Sequence, residues 1–240
     1  MKLAHKKIFT FLILATLILG TTMVKAQDKK FGFGIHATPA LTWMQPDDEK
    51  VITRDGTKTG LGYGLMFDLR FGENYSLSTG LNLISSSARL KYLDPDTMGI
   101  LFTHDDKTDT LSAFTATYKL NYIEVPIHLL LKTNEIGYMK YFGQFGFLLQ
   151  GMTKAKADAT VKDISNEDVS KEIKFANVAL SIGAGFEYSL GGNTALIVAL
   201  IYNNGFLNIL EKDKDPGPIE GAPEYMATSK SIALKLGIMF

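Results

Sequence analysis

Along most of the chain, apolar and polar residues alternate with a period of two. In "GLGYGLMFDLRF" (60–71), Leu61, Tyr63, Leu65, Phe67, Leu69 and Phe71 share one face. Gly60, Gly62, Gly64, Met66, Asp68 and Arg70 share the other. Successive side chains of a β-strand point to opposite faces, so the stretch predicts a strand with one oily face. The same split sets Phe31, Phe33 and Ile35 against Gly32, Gly34 and His36. It sets Tyr141, Phe145, Phe147 and Leu149 against Lys140, Gln144, Gly146 and Gln150. It recurs where Ile232, Leu234, Leu236, Ile238 and Phe240 oppose Ser231, Ala233, Lys235, Gly237 and Met239. In "NYIEVPIHLLLKT" (121–133), Glu124, Pro126, His128 and Lys132 all fall at even positions, opposite Ile123, Val125, Ile127, Leu129 and Leu131.

The alternation predicts eight strands, at roughly 31–43, 59–71, 75–92, 111–133, 138–154, 175–190, 194–209 and 228–240. Three connections are tight turns, "GEN" (72–74), "NEIG" (134–137) and "GGN" (191–193). Four are long and polar, at about 44–58, 93–110, 155–174 and 210–227. Short turns at one end and long loops at the other describe an up-and-down meander. We expect an all-β fold, a closed antiparallel eight-stranded barrel.

Such a barrel closes with its apolar face inward, as a soluble calyx, or outward, as a transmembrane β-barrel. Volume favours the second. An eight-stranded interior is only just wide enough for its own side chains. The apolar face is full of Leu, Ile, Phe and Tyr, whereas the other is rich in Gly, Ser, Ala and Asn. Charge agrees, because a solvated outer face would be dense in Lys and Glu. Aromatic residues near strand ends (Phe31, Trp43, Phe71, Tyr75, Tyr92, Tyr138, Tyr188 and Phe240) suit two interfacial girdles. Closure also leaves no strand edge unpaired in hydrocarbon. Glu124, His128 and Lys132 then point into the lumen, and Pro126, lacking an amide donor, marks a bulge or local distortion.

The N-terminus changes the picture further. Lys2, Lys6 and Lys7 precede an apolar stretch, Ile8–Gly20, and "MVKA" offers a cleavage point near Ala26. That is the layout of a secretory signal peptide over 1–26, with a membrane anchor as the alternative; the barrel domain is then 27–240. The signal region holds four of the 25 basic residues and none of the 25 acidic ones, which leaves 21 against 25 and a net charge of −4. This argues against nucleic acid as a partner. There are no cysteines, hence no disulfides and no thiolate metal or redox site.

"FGFGIHATPALTW", "LNYIEVPIHLLLK" and the closing "SIALKLGIMF" resemble the small outer-membrane β-barrel proteins of Bacteroidota, the group that includes PorT-like proteins. The resemblance covers most of the chain after residue 26. It implies the cell outer membrane as location and its lipid as surroundings. It implies that Phe240, the terminal aromatic, belongs to the signal read by the barrel-assembly machinery during biogenesis. It also implies, as one option, an accessory role in type IX secretion or another envelope assembly.

The candidate lumen set is His36, Asp68, Arg70, Glu124, His128, Lys132, Lys140, Gln144, Glu187 and Lys235. Charges in a narrow lumen must pair to offset desolvation, so a structural network is the first reading. Glu124 and Lys140 are expected to meet across the hairpin of strands four and five. The second reading is a small porin-like passive channel gated by those pairs. For catalysis little is present. The chain after residue 26 has only His36, His104 and His128, and GxSxG does not occur. "HDD" (104–106) is a weak cation site or a solvated loop face. "GLGYG" and "GAGF" lie inside strands and are not phosphate cradles. "DKDPGPIEGAPE" (213–224) reads as a mobile surface loop, where a partner would be recognised. The expected function is therefore a non-enzymatic barrel without cofactor or metal, structural or an interaction platform with four long loops.

Overall fold

The computed structural model describes residues 30–49, 52–93, 100–104, 107–111, 113–160, 165–210 and 226–240. The expected signal peptide, Asp105 and Asp106 of "HDD", and the 213–224 loop lie outside the described residues. Eight strands form the barrel: β1 (Phe31–Pro46), β2 (Lys58–Arg70), β3 (Tyr75–Leu93), β4 (Ala113–Lys132), β5 (Met139–Ala159), β6 (Ala176–Gly191), β7 (Thr194–Gly205) and β8 (Ala227–Met239). Each pairs antiparallel with its sequence neighbours, and β8 pairs with β1 to close the ring.

The register fixes the barrel's width. Partners run from Phe33 through Phe67, Thr79, Ile127, Phe147, Leu180, Asn204 and Lys230 to Trp43. One circuit thus returns to β1 ten residues from its start. With ordinary strand rise and spacing, that stagger gives a tilt of about 41° and a backbone radius of about 8 Å. Side chains alone fill such an interior.

The odd-numbered faces of β1–β4 and the expected apolar faces of the later strands point outward. Phe33, Leu65, Leu83, Ile127, Phe147, Ile182, Leu200 and Leu236 are all exposed on the outer wall. So continuous an apolar surface is a liability in water and the expected surface in lipid. Phe31, Phe71, Tyr75, Tyr138, Tyr188 and Phe240 ring the short-turn end and are exposed. Tyr92 does not join a girdle. It is buried inside, and its hydroxyl lies 2.6 Å from that of Tyr118. Trp43 sits toward the long-loop end with the Arg54 guanidinium 5.0 Å over its ring.

Beyond the oily band the pattern inverts. The outward residues of β3–β5 become Arg89, Lys91, Thr117, Lys119, Lys154 and Lys156. The inward ones become Leu90, Tyr92, Tyr118, Leu120, Tyr122 and Met152, packed with Met44, Ile52, Val169, Ile173, Ile209 and Leu210. The walls therefore rise above the band as a water-soluble extension with an ordinary apolar core. Within the expected loops, Ile52–Arg54 pairs with β3, and Ile100–His104 pairs with Lys107–Leu111 as a hairpin. A register shift at Asn121/Tyr122 lets β5 run to Ala159. At Pro126 there is no bulge, but the β3–β4 register breaks off after Thr79↔Ile127 and resumes at Asn82↔Glu124. In the "GGN" turn, Gly191 and Gly192 both adopt positive φ, 104° and 62°, which a side chain would resist.

Candidate functional site: the barrel lumen

His36 on β1, Asn82 on β3, Glu124 on β4, Gln150 on β5 and Asn177 on β6 all point into the lumen, and adjacent members stand opposite one another in the ladder from Asn82 onward. Thr38 Oγ1 donates to His36 Nδ1 (2.8 Å), and His36 Nε2 donates to Asn82 Oδ1 (2.9 Å). Asn82 Nδ2 donates to Glu124 Oε1 (3.0 Å). From the other side, Asn177 Nδ2 donates to Gln150 Oε1 (2.6 Å) and Gln150 Nε2 to Glu124 Oε2 (2.8 Å). Two donor chains converge on one buried carboxylate, which amide dipoles rather than a cation hold in place. The backbone makes room for this belt. Gly64 faces His36 across the ladder, and a Cβ there would come within 2.5 Å of Asn82 Oδ1.

The expected Glu124–Lys140 pair does not form. The β4–β5 register puts Gln150 opposite Glu124. Lys140 lies at the short-turn end, opposite Glu187 in the β5–β6 ladder, and makes a half-exposed ion pair with Glu135 (3.5 Å). Sixteen residues of separation, bent around a tight turn, place the two groups at opposite ends of the oily band.

Lys132 takes the role expected of Lys140. Its ammonium lies 3.3 Å from Asp68 and 2.5 Å from Glu187, and all three side chains are largely buried. Around this triad pack Met66, Leu130, Phe142, Ile197, Ala199 and Met239. A void of about 10 Å³ lies there, room for about one water. Arg70 is half-buried, and its guanidinium lies near Gly32. Above the triad, Gln144 faces His128 at 3.4 Å, and Lys235 points in from β8. Above these opens a cavity of about 90 Å³ whose lining includes His36, Asn82, Glu124, His128 and Lys235. Sequence reasoning missed Asn82, Gln150, Asn177 and Ser181. Their inward parity was legible, but uncharged side chains gave no reason to select them.

Among the described residues there is no cluster of three or more His, Asp or Glu able to hold a metal, and no helix long and apolar enough to cross a membrane. The outward oily band, the closed ring and the filled polar interior are the features of a barrel that crosses with strands. In sequence, the family described as outer membrane protein beta-barrel domain matches residues 25–211. The chain belongs to this family. It is an outer-membrane β-barrel protein. No curated protein matches it in sequence. Among solved structures it is similar to Neisserial surface protein A, at 13% identity and a TM-score of 0.45, covering 86% of this chain and 95% of that one. OprG from Pseudomonas aeruginosa is similar at 13% identity and a TM-score of 0.43, covering 87% and 95%. Ail of Yersinia pestis is similar at 16% identity and a TM-score of 0.36, covering 88% and 99%.

Proposed function

We propose that this outer-membrane barrel is a non-enzymatic, non-conducting interaction platform that presents its long-loop end to a partner in the cell envelope. One observation carries the reading. The lumen is filled at its short-turn end by the buried Lys132–Asp68–Glu187 triad and the apolar side chains around it, beside a void of about 10 Å³. Porins that hold an aqueous channel need about twice as many strands. The other end is built differently. Its walls extend past the oily band, carry charge on the outside, and bear a hairpin. In this reading the partner is a protein of a secretion or envelope assembly, and the long loops face the cell exterior, as is usual for such barrels. The test is conductance of the refolded protein in a planar lipid bilayer, with folding verified in the same sample. A silent bilayer is expected. Reproducible steps that change when Lys132 or Glu187 is neutralised would instead establish a pore lined by the triad.

A further inference from the structure

The upper cavity is lined by buried polar atoms that no described residue satisfies. Ser181 is fully buried, and its Oγ has no hydrogen-bond partner among the described residues. His128 is 3% exposed, and its Nε2 has none either. With the Gln144 amide nitrogen donating to Nδ1, the ring proton sits on Nε2, which makes that atom an unused donor. Lys235 is 9% exposed; Asp68 and Glu124 attract it electrostatically, but among the described residues no hydrogen bond or ion pair reaches its ammonium. All three line the same cavity. The void below also touches Lys235 and Asp68, whose Oδ1 has no hydrogen-bond partner among the described residues, so there is room for about one water between the two. Buried donors left without a hydrogen-bond partner are rare in native interiors.

These three groups can all donate, and one is cationic; the Tyr122 hydroxyl and the acceptor Asn203 Oδ1, also without a partner among the described residues, lie on the same lining. The walls above them mix apolar side chains, among them Ile84, Leu120, Leu148 and Ile201, with polar ones such as Asn82, Glu124 and Gln150. Convergent donors at the floor of a cavity whose walls carry apolar side chains and a few polar ones make the layout of a small-ligand site. We propose that this cavity binds a short-chain monocarboxylate, its carboxylate on Lys235, His128 and Ser181 and its alkyl tail pointing toward the long-loop end. About 90 Å³ limits the occupant to a small molecule. The donors suit an oxyanion because charge-assisted hydrogen bonds are about twice as strong as neutral ones. Glu124 lines the same cavity and attracts Lys235 electrostatically, but no ion pair within 4 Å joins the two, and the Glu124 oxygens hold the amides of Asn82 and Gln150.

The test uses hexanoate labelled with ¹³C at the carboxyl, titrated into the protein refolded in lipid nanodiscs and followed by NMR. A saturable one-to-one shift is expected, weakened at least tenfold in Lys235→Gln and measurably in Ser181→Ala, with hexan-1-ol failing to displace the acid. Folding of each variant is read separately from Trp43 fluorescence. Equal binding by wild type and Ser181→Ala, equal displacement by the alcohol, or no saturable binding would each overturn the proposal. The alcohol competition needs only the wild-type protein, so it decides the matter even if Lys235→Gln does not fold. A conducting barrel would show bilayer steps whether or not hexanoate binds, so this proposal and the platform reading fail separately.

Discussion

Replacing Glu124 tests the belt most directly. Its carboxylate is the common acceptor for Asn82 Nδ2 and Gln150 Nε2, and the side chain is buried. Glu124→Ala strands both donors. A buried donor without an acceptor costs about 1–3 kcal/mol, so two cost about 2–6 kcal/mol. Removing the carboxylate also relieves its own desolvation, which pulls the net effect toward the lower end. Glu124→Gln keeps one acceptor and turns a nitrogen toward a second donor, for a cost of about 1–3 kcal/mol. Lys140→Ala is the control. Its pair with Glu135 is half-exposed, and such pairs contribute about 0–1 kcal/mol. The assay is urea unfolding from lipid vesicles, read by fluorescence of Trp43, the single tryptophan of the chain. The expected order of stability is wild type and Lys140→Ala together, then Glu124→Gln, then Glu124→Ala. Both Glu124 variants within about 0.5 kcal/mol of wild type would refute the belt as a source of stability, since that is the scatter of an ordinary surface change. A Lys140→Ala loss as large as that of Glu124→Ala would refute the register argument instead.

Two other perturbations probe different depths. Lys132→Met leaves the buried carboxylates of Asp68 and Glu187 facing each other without a cation, and should lower the unfolding free energy by about 3–5 kcal/mol; adding Asp68→Asn and Glu187→Gln should restore most of the loss, and no recovery in the urea midpoint would show that the triad is not the cause. Above the band, the Lys119 ammonium hydrogen-bonded to Asp158, helped by the Asn166 amide, holds the Asp158 carboxyl below the usual carboxylate range. A depressed folded value stabilises the protein above the unfolded carboxylate pKa of about 3.9 and is lost as pH falls through the folded value. Because Asp158 is well solvated the contribution is only a few tenths of a kcal/mol. The thermal midpoints of wild type and Asp158→Asn should differ slightly at pH 7 and converge below about pH 3, whereas a pH-independent gap would exclude this linkage.

The sequence by itself determined the fold and the side each residue faces. Period two leaves no freedom at Ile123 or Glu124, because a one-residue slip would turn every oily side chain into the lumen. Narrowness of an eight-stranded ring then decided which face meets lipid. Tight turns at "GEN", "NEIG" and "GGN" gave the meander order without any tertiary information. What parity leaves open is height. Every even residue of β4 points inward, yet Lys132 lies in the plug, Glu124 in the belt and Tyr118 in the apolar crown. Which residues share a level depends on the stagger between strands, and that ten-residue offset is a property of the closed ring, spread over eight separate pairings. For this reason Lys132 rather than Lys140 meets the buried acids, Glu124 meets amides rather than a lysine, and Lys235 is left facing a cavity. The outward alternation also ends where the walls leave the lipid. Above that line, water on the outside reverses which residues gain by burial, so Tyr92 turns from an expected girdle residue into part of the core.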